Sequence, residues 1–143
     1  MVCIGGGHCN CQVIKMLKSF MVEQPNLIKL TIVSERDISF YSGMLPGTVA
    51  QLYSEDDLII PLQPLAAWCE ADFVLERVDK IKGKENKIYL ESGRAIDYDV
   101  LVVNVGSKTK DTENVKGVWE HALTTRPIND MLSKIKNKEN QFL

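Results

Sequence analysis

The 143-residue chain has room for one domain with a proper core, and its 45% hydrophobic and 25% charged residues strike the balance of a globular protein. A formal net charge of −2 and a pI near 5.7 leave no electrostatic footprint for a nucleic-acid partner. No basic n-region followed by an apolar h-region opens the chain, and no apolar run approaches the ~20 residues of a membrane span, so an intracellular setting, cytoplasmic or organellar, is expected.

Met1-Val2-Cys3-Ile4 reads as a short apolar strand that runs into Gly5-Gly6-Gly7 and then a helix. Glycines there let the backbone turn tightly and approach a ligand. The following helix would aim unpaired N–H groups and the positive end of its dipole at that ligand. This is the chemistry of a pyrophosphate cradle. Val13, Met16, Leu17 and Phe20 fall on one helical stripe, opposite Lys15 and Lys18, and Pro25-Asn26 ends the helix. Leu30 to Val33 is a second strand, which completes a β-α-β unit. Residues 39–53 carry Ser42-Gly43-Met44-Leu45-Pro46-Gly47, a turn-rich loop leading towards a short helix. Pro61 to Glu70 reads as a helix with Leu62, Leu65, Ala66 and Cys69 on one side. Asp72 to Val78 is expected as a third strand.

Short strands at Val78–Ile81, Lys87–Leu90 and Ala95–Tyr98, separated by turn residues, predict an antiparallel meander. Val100 to Val105 is a nearly unbroken apolar run, as expected for a parallel strand covered on both faces. Arg126-Pro127 opens a last helix with Ile128, Met131, Leu132 and Ile135 on one stripe, and Pro127 suits its first turn. Lys134 to Lys138 is expected to be a solvated face. The fold class is thus α/β, a Rossmann-like domain over residues 1–143 with a parallel sheet and an antiparallel β-meander insertion.

The glycine turn departs from G-x-G-x-x-G, because Asn10 holds the third position, where glycine normally permits close helix–strand contact. The helix is therefore expected either to stand off slightly or to turn the amide away. The fingerprint's ribose-binding acid is met by Ser34 if the second strand ends at Val33, with Glu35 one place further on. A glycine turn serving packing alone, and a Glu35 that is merely an exposed loop residue, are the competing readings. His8 and His121 are single histidines without a visible partner. The four cysteines, Cys3, Cys9, Cys11 and Cys69, contain no CxxC pair and no metal-ligand spacing, so they read as reduced thiols and no metal is expected. Cys9 and Cys11 lie two apart on a helix and face different sides. No nucleophile–base pair or carboxylate dyad is visible and no catalytic residue is assigned; any chemistry would be carried by a cofactor.

Taken together, Val2 to His8, Phe40 to Gly47, and Tyr98 to Ser107 resemble the first part of an FAD-dependent pyridine nucleotide-disulfide oxidoreductase, in the branch related to type II NADH dehydrogenases. The flavoprotein module fused to selenophosphate synthetase is similar in its glycine–histidine turn and Tyr-Ser-Gly-Met-Leu-Pro-Gly loop. The resemblance covers essentially the whole chain. It implies a pyrophosphate turn made of Gly5, Gly6, Gly7, His8 and Asn10, lined by Gly5, Gly7 and His8, with Ser34 or Glu35 at the ribose. Val78 would offer its backbone to the adenine, and Met44, Leu45 and Pro46 would approach the isoalloxazine. Gly106 and Ser107 match a second flavin-binding turn, usually Ala-Thr-Gly, where this chain has Asn104-Val105-Gly106. The resemblance further implies FAD as cofactor, NADH or NADPH as co-substrate of a full-length protein, and a quinone or another small acceptor. Family members continue into a second dinucleotide fold, so the chain is expected to be a fragment, and peripheral membrane or homodimer association is left to the further segments. Two rival readings stand beside it: a non-catalytic nucleotide-binding or partner-docking module, and an NAD-binding rather than FAD-binding half.

Overall fold

The computed structural model describes residues 1–107, 114–126 and 128–141. Pro127, expected at the first turn of the last helix, lies outside the described residues. The chain divides into two units, Met1–Tyr41 with Ile59–Val105, and Ser42–Leu58 with Gly106–Leu143.

The first unit is built in three layers. Strand β1 (Val2–Ile4) leads through the glycines into α1 (His8–Glu23), and β2 (Thr31–Ser34) follows. A short ribbon, β3 (Ile38–Phe40) paired antiparallel with β4 (Ile59–Pro61), precedes α3 (Leu62–Trp68) and β5 (Asp72–Leu75); α2 (Leu45–Val49) belongs to the second unit. The meander is β6 (Val78–Lys82), β7 (Lys87–Leu90) and β8 (Ala95–Asp97), and β9 (Leu101–Val103) closes the unit. The parallel sheet has the order β5-β2-β1-β9. Alternation along β1 sorts its side chains between two cores. Cys3 packs with Ile14, Leu30, Ile32, Ala66 and Cys69 on the side of α1 and α3. Val2 and Ile4 pack with Val33, Ile88 and Leu90 on the meander side. Helices cover one face of the sheet and an antiparallel meander the other, which confirms the α/β reading.

Four local expectations are corrected. On α1 the buried residues are Asn10, Cys11 and Ile14, with Leu17 and Met21 packed against the core, while Met16 is 76% exposed and Phe20 is also exposed. The true stripe is 10, 14, 17, 21, rotated from the expected one because Asn10 is drawn under the turn. The second strand ends at Ser34, not Val33. The third parallel strand ends at Leu75, and Val78 begins the meander instead, pairing with Leu90 ahead of an irregularity between Val78 and Lys80. Strand β9 is an edge, and Val103 is half-exposed rather than covered on both faces. By contrast, the α3 stripe of Leu62, Ala66 and Cys69 is fully buried as its spacing demands.

The second unit contains a 3-10 turn at Ser42–Met44, α2 (Leu45–Val49), a second 3-10 turn at Asp56–Leu58, α4 (Val118–His121), and α5 (Met131–Glu139) preceded by a 3-10 turn at Ile128–Asp130. Pro46 sits in the first turn of α2, where its missing N–H leaves nothing unpaired. The stripe of Ile128, Met131, Leu132 and Ile135 is half-buried. The basic run beside it is not wholly solvated: Lys134 Nζ donates to the buried Thr124 Oγ1 at 2.9 Å, and Lys136 pairs with Glu55.

Candidate functional site at the glycine turn

The turn stands at the carboxyl end of β1, where open α/β sheets bind their ligands. The Gly5 N–H donates to the Val33 carbonyl at 2.8 Å, and Gly5 adopts φ +82°, a conformation that favours glycine. A Cβ on Gly5 would lie 2.5 Å from the Asn104 carbonyl oxygen, one on Gly6 2.4 Å from the Leu62 side chain, and one on Gly7 2.0 Å from Asn104 Oδ1. Gly5 and Gly7 are therefore demanded by close approach to the Asn104 main chain, whereas at Gly6 the Leu62 side chain would have to give way.

Asn104, just past β9, binds the turn three times. Its N–H donates to the Ile4 carbonyl at 2.9 Å, its carbonyl accepts from the Gly7 N–H at 3.2 Å, and its Oδ1 accepts from the Cys9 N–H at 3.1 Å. It thus acts as a side-chain cap for α1, supplied from another strand, since Gly7 at the N-cap has none to give. Among the described residues, the N–H groups of Gly6 and His8 make no hydrogen bond. The amides at this turn are only partly open.

Asn10 is fully buried beneath the turn, and its Nδ2 donates to the carbonyls of Ile4 at 2.9 Å and Gly5 at 2.8 Å. The amide faces the strand instead of turning away, and the helix stays close because the side chain replaces a contact with a staple. Its Oδ1 has no partner among the described residues. Beside it the Cys11 thiol donates to the Gly6 carbonyl at 3.3 Å, and burial pushes that thiol up from its ordinary range. Cys9 is exposed and Cys11 buried, so the two face apart as their spacing requires, and all four cysteines are free thiols.

His8 does have a partner: its ring stacks on Tyr41, with centroids 4.6 Å apart and an interplanar angle of 24°. No periodicity links residues 8 and 41, so only the fold reveals this pair. At the end of β2, Ser34 is buried and its Oγ accepts the Arg36 N–H at 3.2 Å. Glu35 is the first residue past the strand and is exposed, with Arg77 at 3.8 Å shared with Glu91 at 3.4 Å. Val78 lies next to Arg77 at the start of β6. Met44, Leu45 and Pro46, together with Gly106 and Ser107, belong to the second unit, with Gly106 at φ +77° and no atom of the described residues within 4 Å of where a Cβ would stand. Two open grooves of the first unit, about 530 and 550 Å³, lie at the amino ends of the strands around Met1, Thr31 and Asp72 and around Met21, Pro25 and Cys69, away from the turn. Among the described residues no group of side chains could hold a metal ion, and no helix is long and apolar enough to cross a membrane.

No family model matches the chain. It is 28% identical over 133 residues to a sulfide-quinone reductase of Aquifex aeolicus, covering 88% of this chain and 30% of the relative. It is 24% identical over 140 residues to a type II NADH:quinone oxidoreductase of Staphylococcus saprophyticus, covering 97% of this chain and 34% of the relative. The chain thus spans about a third of the length of these curated relatives. The solved sulfide:quinone oxidoreductase of Aquifex aeolicus superposes with a TM-score of 0.77 at 23% identity, over 99% of this chain and 32% of that one, which shows a shared fold. With the strand–glycine turn–helix, the parallel sheet and the meander all in place, the chain is similar in sequence and fold to FAD-dependent pyridine nucleotide-disulfide oxidoreductases, and its homologues include sulfide-quinone reductase and type II NADH:quinone oxidoreductases.

Proposed function

We propose that residues 1–143 form the FAD-binding part of an NAD(P)H-linked flavoprotein that passes electrons from NADH or NADPH through FAD to a quinone or another small acceptor. The observation that carries this reading is the glycine turn itself. It leaves the Gly6 and His8 N–H groups without protein partners at the start of a 16-residue helix, at the carboxyl end of the central strand. Unpaired amides on a helix dipole suit a diphosphate, so the residues present fit the cofactor.

In this reading Gly5, Gly6, Gly7 and His8 form the diphosphate cradle, and Asn10 holds its shape from below. Glu35 binds the adenosine ribose, because it alone of the two candidates is exposed at the strand end, whereas the Ser34 hydroxyl is buried and engaged with Arg36. Val78 offers its backbone to the adenine, Met44, Leu45 and Pro46 approach the isoalloxazine, and Gly106 with Ser107 form the second flavin turn. When bound, FAD supplies the hydride acceptance and electron transfer. The chain supplies binding, orientation and exclusion of water. The names of the quinone reductases among the relatives support a quinone as acceptor.

The test is to purify the chain and titrate it with FAD and with NAD. A yellow protein, or one that takes up FAD more tightly than NAD, is expected. A colourless protein indifferent to FAD refutes the reading.

A further inference from the structure

We propose that the Asn104 side chain is an internal stand-in for the diphosphate: its Oδ1 takes a first-turn amide of the cradle, so side chain and diphosphate compete for the same donor. This inference rests on the preceding reading of the turn as a dinucleotide site. The second glycine of such a turn keeps space open so that the backbone can approach the pyrophosphate. Here that space is filled. Asn104 Oδ1 would lie 2.0 Å and the Asn104 main-chain carbonyl oxygen 2.7 Å from a Cβ on Gly7, so side chain and main chain both close on the glycine. The same oxygen accepts the Cys9 N–H at 3.1 Å, one of the first-turn donors of α1. A neutral amide oxygen on a helix start does weakly what a diphosphate oxygen does strongly, because the dipole there favours negative charge.

The anchor of this residue is independent of its side chain. Its main-chain N–H and carbonyl are held by Ile4 and Gly7. Rotation of the side chain therefore frees the Cys9 N–H without unzipping β9 from β1. An Ala at position 104 removes the occupant and also the cap. An Asp keeps an acceptor of the same shape but places a carboxylate where the diphosphate must go. Stability and cofactor affinity are thus expected to move in opposite directions, which a residue needed only for packing would not do.

The experiment measures thermal unfolding of the full chain without ligand, and FAD affinity by quenching of flavin fluorescence, for wild type, Asn104→Ala and Asn104→Asp. Asn104→Ala is expected to melt lower and to bind FAD about fivefold tighter, the equivalent of one lost cap. Asn104→Asp is expected to melt no lower than wild type and to bind FAD at least about tenfold more weakly, as like charges are brought together. A wild type that binds FAD with an Asn104→Ala variant equal or weaker overturns this inference and leaves the function standing. FAD binding that appears only in Asn104→Ala supports it. No binding by wild type or by either variant overturns both.

Discussion

Gly5 is where a single side chain would do the most damage to the turn. An added Cβ meets the Asn104 main-chain carbonyl, just past β9, at 2.5 Å, and φ is +82°, so neither neighbour nor backbone can relax cheaply. The left-handed conformation costs a non-glycine residue roughly 1–2 kcal/mol, and overpacking adds typically 1–3 kcal/mol. Gly5→Ala is therefore expected to lower the unfolding free energy by about 3 kcal/mol in a urea titration. Gly83→Ala is its control, because among the described residues nothing lies within 4 Å of where its Cβ would stand and its φ is not positive; that change is expected to stay within about 0.5 kcal/mol of wild type. Equal losses in the two variants would show that the close approach to Asn104 is not what demands glycine. Asn10 makes the complementary point. A polar side chain at the position normally held by glycine is tolerated since its Nδ2 finds the carbonyls of Ile4 and Gly5, which offsets the desolvation of burying that group.

At the scale of the element, α1 shows how a helix can satisfy its periodicity on a face that the apolar pattern does not pick out. Two apolar stripes run along it, because Val13, Ile14, Met16, Leu17, Phe20, Met21 and Val22 cover more than half its circumference. Which one is buried is settled by the turn, which draws Asn10 inward and with it Ile14, Leu17 and Met21. Ile14→Ala is expected to cost about 2–5 kcal/mol as a core truncation, whereas Met16→Lys is expected to change stability by less than about 0.5 kcal/mol, as exposed substitutions do. Denaturant midpoints of the two variants read this directly, and a Met16→Lys chain as damaged as Ile14→Ala would overturn the assigned face. The same distinction explains the meander and α3. Their turn residues and their single apolar stripes leave one solution each, so both were legible in the sequence. The β3–β4 ribbon was not, since three-residue strands carry too little pattern to stand apart from the surrounding loop.

For the molecule as a whole, the helix-side core contributes to how stability responds to pH. Cys3 is fully buried in the helix-side core. Burial there, partly opposed by the nearby N-terminal ammonium, pushes its thiol from 9.0 up to about 11. Between these values the unfolded chain holds fewer protons at this site than the folded one, so stability falls as pH rises. The contribution is fully present below about pH 9 and lost progressively towards about pH 11. Urea midpoints taken across this window are expected to decline, and less steeply in Cys3→Ala. An identical slope in that variant would remove the buried thiol from the account.

Local spacing in the amino-acid sequence encodes the order of the elements: strand, glycine turn and helix, then meander and final strand. The tertiary structure alone decided which face of α1 is buried, that β9 is an edge, that Glu35 rather than Ser34 is exposed at the end of β2, that His8 stacks on Tyr41, and that Asn104 reaches across to cap α1. The reason is one of range. Periodicity, turn chemistry and capping act over a few residues and are written in neighbouring letters, whereas Asn104 and Cys9 lie 95 positions apart and meet only because the sheet places β9 beside β1.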